Sequence, residues 1–255
     1  MYKYIILILV LFSNKAVLSQ FQFEPPEPIE KAGIQAEMQV IYENIENNGY
    51  IKNNNITHPS FLLRYGISDK IELQMNLQFM TEHIKQINDA TLSYEHHYHT
   101  GIQPLKAGIK FSFSGENESL MPAAAMLLNI TVPNLASSKF RSSHIAPEII
   151  LSASKKIKNI TIAGNTGLLW DGESASPAEF YIIAFSYSPI KNISMFAEAY
   201  GYLKNDIPAD NRIDAGLSFF VSDNLQVEIA AGVGLSKYSP INYFGTGIAY
   251  RLPKI

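Results

Sequence analysis

The stretch Ile71–Met80, Ile-Glu-Leu-Gln-Met-Asn-Leu-Gln-Phe-Met, separates into two rows. Ile71, Leu73, Met75, Leu77 and Phe79 are apolar; Glu72, Gln74, Asn76 and Gln78 are polar. Successive side chains of a strand point to opposite faces, so strict alternation reads as a strand with one greasy face. Helical spacing fits it poorly. The same pattern recurs upstream, where Ile34, Ala36, Met38, Val40 and Tyr42 alternate with Gln35, Glu37, Gln39 and, past Ile41, Glu43. Downstream, Leu105, Ala107, Ile109, Phe111 and Phe113 alternate with Lys106, Gly108, Lys110 and Ser112.

Continued along the chain, the alternation gives about twelve strands, most of nine to eleven residues, the length a tilted strand needs to cross a hydrocarbon core. They fall near 34–43, 57–65, 71–80, 104–113, 122–131, 144–153, 160–170, 180–188, 193–202, 212–221, 225–235 and 242–252. Strands of soluble domains average only about 5–6 residues. Short turns (66–70, 114–119, 155–159, 189–192, 222–224) alternate with longer polar loops (44–56, 81–103, 132–143, 171–179, 203–211, 236–241). Such alternation puts every short turn on one side, as in outer-membrane barrels with periplasmic turns and external loops. An even strand count leaves both termini in the periplasm. The fold expected is all-β: a closed antiparallel up-and-down transmembrane β-barrel. Closure follows because an unpaired backbone group in hydrocarbon costs several kcal/mol.

Composition agrees. Of 255 residues 47% are apolar and only 17% charged, which suits a wall that shows lipid an uncharged band. A formal net charge of −3 gives no electrostatic basis for a nucleic-acid partner. The absence of cysteine excludes a disulfide scaffold, a thiolate metal site and a cysteine nucleophile. At the N-terminus, Lys3 precedes the apolar run Ile5–Phe12, too short to span a bilayer, and Val17-Leu18-Ser19 offers a cleavage site. Residues 1–19 therefore read as a secretory signal peptide, 20–33 as a periplasmic lead-in and 34–255 as the barrel. In the lead-in, Pro25, Pro26 and Pro28 interleave with Glu24, Glu27 and Glu30, which predicts an extended, solvated segment.

If the apolar row meets lipid, the polar row faces inward. Parity assigns to the inner wall the acids Glu37, Glu72, Glu148, Glu198, Asp214 and Glu228 and the bases Arg64, Lys106, Lys110, Arg212 and Arg251. Near-balance argues against a one-sided selectivity ring; mutual pairing within the wall is the expectation for most of them. Twelve strands lie between barrels filled by side chains and those with an aqueous channel, so a narrow or partly plugged passage is expected. Tyr42, Phe61, Tyr65, Phe79, Tyr181, Tyr187, Tyr202, Phe244 and Tyr250 are candidates for interfacial girdles.

The segment Thr57–Asn76, with Pro59, Leu63, Arg64, Tyr65, Gly66, Ile67, Ser68, Asp69 and Glu72, is followed by Gly101 and Pro104–Phe111. With the Ser222-Asp223-Asn224 turn and Gly245–Arg251, it resembles the outer-membrane proteins grouped as the phenol-degradation (MetA-pathway) family, often labelled transporters. The resemblance implies a barrel and a role in passage of small, aromatic or hydrophobic, compounds; it carries over no binding residues. The final Ile255 departs from the terminal aromatic of many bacterial barrels.

Other chemistry is sparse. His83, His96, His97 and His99 cluster in the stretch 81–103, which reads as a solvated external loop, with neither metal site nor cofactor assigned. Barrel phospholipases carry H-x-S on the lipid side of a strand; here His58 and Ser60 point inward, and Ser142-Ser143-His144 runs in reverse order. Neither shows an orienting group or oxyanion site, so no enzyme is expected. The reading is a transport barrel with membrane lipid and a small solute as partners. The alternatives are a structural or surface-interaction barrel and, more remotely, a lipid hydrolase.

Overall fold

The computed structural model describes residues 21–47, 51–88, 93–115, 121–205 and 207–252. The strands are β1 (Ile34–Asn47), β2 (Ile51–Ser68), β3 (Ile71–Asn88), β4 (Ser93–Ile102), β5 (Leu105–Ser114), β6 (Ala123–Val132) and β7 (Ala146–Ile157). They continue with β8 (Ile160–Leu169), β9 (Ala178–Ile190), β10 (Ile193–Lys204), β11 (Ile207–Phe220), β12 (Leu225–Gly234) and β13 (Asn242–Arg251). Apart from β4 and β5, which both pair with β3, neighbours in sequence pair antiparallel, and β1 closes the ring against β13, from Gln35↔Arg251 to Asn44↔Asn242. Closure leaves no edge whose backbone groups would lie bare in lipid.

Thirteen strands make twelve staves. The inner half of β3 pairs with β5 and its outer half with β4. Thus β4 and β5 share one stave, broken at Gln103-Pro104 because proline has no N–H to donate. The Gln103 N–H still reaches the Gln78 carbonyl at 2.8 Å.

The wall is inside out. Along β3, Leu73 and Met75 are 42% and 46% exposed, whereas Glu72 and Gln74 between them are 0% and 9%. Tyr42, Phe61, Tyr65, Tyr187, Phe244 and Tyr250 face outward, as a girdle requires. Tyr202 does not. It lies on the luminal row of β10 and stacks with Phe180, ring centroids 6.4 Å apart.

Two expectations about the stretches between strands are corrected. The regions 44–56 and 81–103 are not loops for most of their length. β1 and β2 continue pairing from Ile41↔Thr57 out to Asn47↔Ile51, and β3 pairs with β4 from Phe79↔Ile102 to Asn88↔Ser93. Beyond the bilayer a hairpin needs only backbone pairing, so its sequence there has no greasy row to betray it. The His-rich stretch is therefore half of a β-ribbon. His83 Nε2 and His96 Nδ1 lie 2.9 Å apart, with Tyr98 stacked on His83. Among the described residues no three metal-ligating side chains converge.

The lead-in is the larger correction. Residues 21–30 do not extend into solvent; they run inside the barrel, and only the turn at Lys31-Ala32 is exposed. Phe21, Phe23 and Ile29 are 4–5% exposed, and Pro26 is fully buried. A polar lumen offers what an extended Pro-rich segment needs. The N–H groups of Gln22 and Phe23 donate to the Glu198 carboxylate, that of Glu24 to Asn165, and that of Ile29 to Glu72. Pro25, Pro26 and Pro28 have no N–H to satisfy. The expected cleavage site after Ser19 lies outside the described residues.

Candidate functional site

The wall accommodates the inner segment at two glycines. A Cβ on Gly66 of β2 would overlap the Ile29 and Glu30 carbonyls, and one on Gly245 of β13 would overlap the Phe21 ring. Any side chain at either place would push the segment off the wall.

Glu24 is the hub. Its carboxylate accepts two hydrogen bonds from the Arg64 guanidinium (2.7 and 3.0 Å) and one from Gln74 (2.9 Å), and it pairs with Lys110. Its carbonyl accepts from Ser152 (2.6 Å) and Asn165 (2.9 Å). Arg64 also meets Glu37 at 2.5 Å and Glu72 at 3.2 Å; Lys110 meets Glu72 at 3.5 Å and the Pro25 carbonyl at 2.8 Å. Burial would raise the Glu24 pKa. The two cations and their hydrogen bonds outweigh it and hold the carboxyl at about 2.

Of the eleven charges that parity turns inward, Glu37, Arg64, Glu72, Lys110, Glu148, Glu198, Asp214 and Glu228 are buried, and Lys106, Arg212 and Arg251 are half-buried. Pairing among them is partial. Arg64 and Lys110 join Glu37 and Glu72 around Glu24, and Lys106 pairs with Glu148 at 2.5 Å. Arg212 instead pairs with Glu43 (2.5 Å) and Asp210 (2.6 Å), and Arg251 with Glu30 (3.7 Å). Glu198, Asp214 and Glu228 have no ion pair among the described residues. They are met by backbone N–H groups, by the Tyr243 hydroxyl (3.2 Å) and by Gln39 (3.2 Å).

The opposite side of the lumen is aromatic, which alternation alone did not predict. Phe180, Ile182, Phe196, Tyr200 and Tyr243 are buried and enclose Phe21 and Phe23. Tyr200 sits edge-on to Tyr202 and Tyr243, with ring centroids 6.5 and 6.4 Å apart, and Arg212 lies 5.9 Å from the ring centres of Tyr200 and Tyr243. The signal was present: Phe180–Phe185 (Phe-Tyr-Ile-Ile-Ala-Phe) is apolar on both rows, so its inner row could not be polar.

Two cavities follow one another. An outer vestibule of about 390 Å³ is lined by Lys106, Lys139, Phe140, Arg141, Glu148 and Trp170, among others. A smaller cavity of about 140 Å³ lies against Phe21–Glu24, Glu37 and Arg64. Asn76 and Gln78 line both.

Neither serine–histidine pair forms a nucleophile and base. The His58 ring bonds Thr81 at 2.9 Å, and Ser142 donates to the His144 carbonyl rather than to its ring.

Among solved structures, an outer membrane channel from Pseudomonas putida F1 matches with a TM-score of 0.69 at 9% identity, covering 91% of this chain and all of that one. The transport unit of the autotransporter AIDA-I from Escherichia coli matches at 0.55 and 10% identity, covering 88% of this chain and 91% of that one. KdgM porin in complex with disordered oligogalacturonate matches at 0.54 and 7% identity, covering 84% and 98%. At identities this low the likeness shows the barrel fold alone. No curated protein matches by sequence. The family model described as "Putative MetA-pathway of phenol degradation" matches residues 50–252, and the chain belongs to that family.

Proposed function

We propose that this barrel passes small solutes across the bacterial outer membrane, through a lumen that its own N-terminal segment narrows. The observation that carries the reading is the run of two cavities sharing Asn76 and Gln78, the inner one ending on Phe21–Glu24. The inward charges Glu37, Arg64, Lys106 and Glu148 border that run and are the proposed solute path, with Arg212, Asp214 and Glu228 on the far wall. The rings along that run, Phe140 and Trp170 outside and Phe21 and Phe23 within, suit flat or hydrophobic cargo, since rings gain from face and edge contact.

In this reading the signal peptide is cut after Ser19, so Phe21 becomes the second residue of the mature chain. No catalytic step is assigned, because His58 and His144 make the other bonds described above.

The test is conductance in planar bilayers of the mature chain and of a variant lacking residues 20–33. The intact barrel is expected to pass a small current and the shortened one a current several-fold larger. No current from either, with both folded, would overturn the reading and favour a structural barrel that meets partners through its external ribbons.

A further inference from the structure

The vestibule is lined by three cations, two of them, Lys139 and Arg141, on an exposed connection between strands. The segment 133–145, which joins β6 to β7, folds back over the barrel mouth. The Ser137 N–H donates to the Ile102 carbonyl at 3.0 Å, and its hydroxyl accepts from the Ile102 N–H at 2.9 Å. A Cβ on Gly101 would strike Ser137, so the close crossing depends on that glycine. At the other end the His144 N–H reaches the Gly172 carbonyl at 3.0 Å. Between these anchors stand Lys139, Phe140 and Arg141, which line the cavity together with Trp170.

Two of the three carboxylates around this cavity are paired with cations, and the third, Glu173, is held by neutral donors. Glu148 holds Lys106 (2.5 Å) and Asn129 (3.0 Å). Asp171 holds Lys204 at 2.5 Å and accepts the N–H groups of Glu173 and Ser174. These bonds keep Asp171 well below the usual carboxylate range. Glu173 accepts from the Ser143 N–H (2.7 Å) and hydroxyl (2.8 Å). Arg141 donates only to the Ala136 carbonyl at 3.2 Å, and among the described residues no carboxylate pairs with Arg141 or Lys139. Two exposed cations without an ion pair among the described residues thus line, with the Phe140 and Trp170 rings, about 390 Å³ of space. Pockets for small organic ligands begin near this size, about 300 Å³.

We infer that the vestibule is a recognition site for small aromatic carboxylates, with the ring between Phe140 and Trp170 and the carboxylate on Arg141 and Lys139. A guanidinium presents paired donors to a planar carboxylate, and the neighbouring ammonium adds charge without fixing orientation. A neutral phenol or hydrocarbon would use the rings alone, and a short aliphatic acid the cations alone. Only a ligand with both parts meets both halves of the site. This inference rests on the transport reading, because it places the site at the outer end of the proposed path.

Trp170 is the one tryptophan of the chain and reports on this cavity directly. The experiment titrates the folded protein in detergent with benzoate, benzamide and acetate while following Trp170 fluorescence. A Trp170→Phe variant fixes the background. Benzoate is expected to give a saturable change at concentrations at least tenfold lower than benzamide or acetate. Arg141→Gln with Lys139→Gln should bring benzoate to the level of benzamide, leaving folding, judged by heat-dependent gel mobility, unchanged. Equal responses to benzoate and benzamide, or a benzoate response that survives the double substitution, would overturn the inference. Because binding is read without current, its failure leaves conductance standing. A barrel that binds benzoate yet never conducts would instead overturn the transport reading.

Discussion

Replacing Glu24 by alanine removes the hub of the inner segment. It abolishes two bonds from Arg64 at 2.7 and 3.0 Å, one from Gln74 at 2.9 Å and the pairing with Lys110. Hydrogen bonds to charged groups are each worth about 1.5–3 kcal/mol, but the loss is not their sum. Arg64 keeps Glu37 and Glu72, and Lys110 keeps Glu72 and the Pro25 carbonyl. A discounted figure of about 3 kcal/mol corresponds to roughly a hundredfold fall in the ratio of seated to released segment. Glu24→Gln retains one acceptor and the side-chain shape, so its loss should be nearer tenfold. Single-channel recording in planar bilayers reads this as time spent in the high-conductance state, with the variant lacking residues 20–33 as the fully released reference. Expected is the order wild type, Gln, Ala, deletion. Identical traces for wild type and Glu24→Ala, beside a deletion that does conduct more, would refute the assignment of Glu24 as the hub.

The same hub predicts a pH dependence. Its carboxyl titrates at about 2 when seated against an ordinary 4.5, so seating is fully supported above about pH 4.5 and weakens as pH falls toward 2; open-state occupancy should rise across that window and stay flat above it. Gly245→Leu would fill the space of the Phe21 ring; the barrel should still fold, since lost seating need not disturb β12–β13 pairing, but its conductance should approach that of the deletion. Arg64→Ala leaves Glu24 and Glu72 with Lys110 and takes the ion pair from buried Glu37, and breaking a buried ion pair costs about 3–5 kcal/mol. The folded band on unheated gels should then be lost at a lower temperature than in the wild type, and a Gln74→Ala control should shift it far less.

Period-two alternation made the staves legible because one side of each must satisfy lipid. β3 shows it most plainly, with Leu73 and Met75 outside and Glu72 and Gln74 inside. Where lipid no longer dictates a row, legibility ends. The outer parts of β1–β4 were hidden because a ribbon in water has no preferred greasy face. The place of the lead-in is illegible for a related reason: glutamates and prolines mark a segment with few donors and much charge, and a polar lumen receives such a segment as readily as water does. Parity placed Arg64, Lys110 and Glu72 on one side of their strands, but not Glu24 among them, since that meeting joins residues 40 or more positions apart. The aromatic interior was legible only at Phe180–Phe185, where both rows are apolar at once.

The lumen is thus two-faced in cross-section, ionic where β1–β3 and β5 line it and ring-rich along β9, β10 and β13. In the proposed transport reading, a molecule with an oily and a wet side would lose least by turning each toward its like once Phe21 and Phe23 leave the rings, so such a lumen would filter by orientation as well as by width. Rotating such a cargo end for end keeps its fit, whereas rolling it about the pore axis does not.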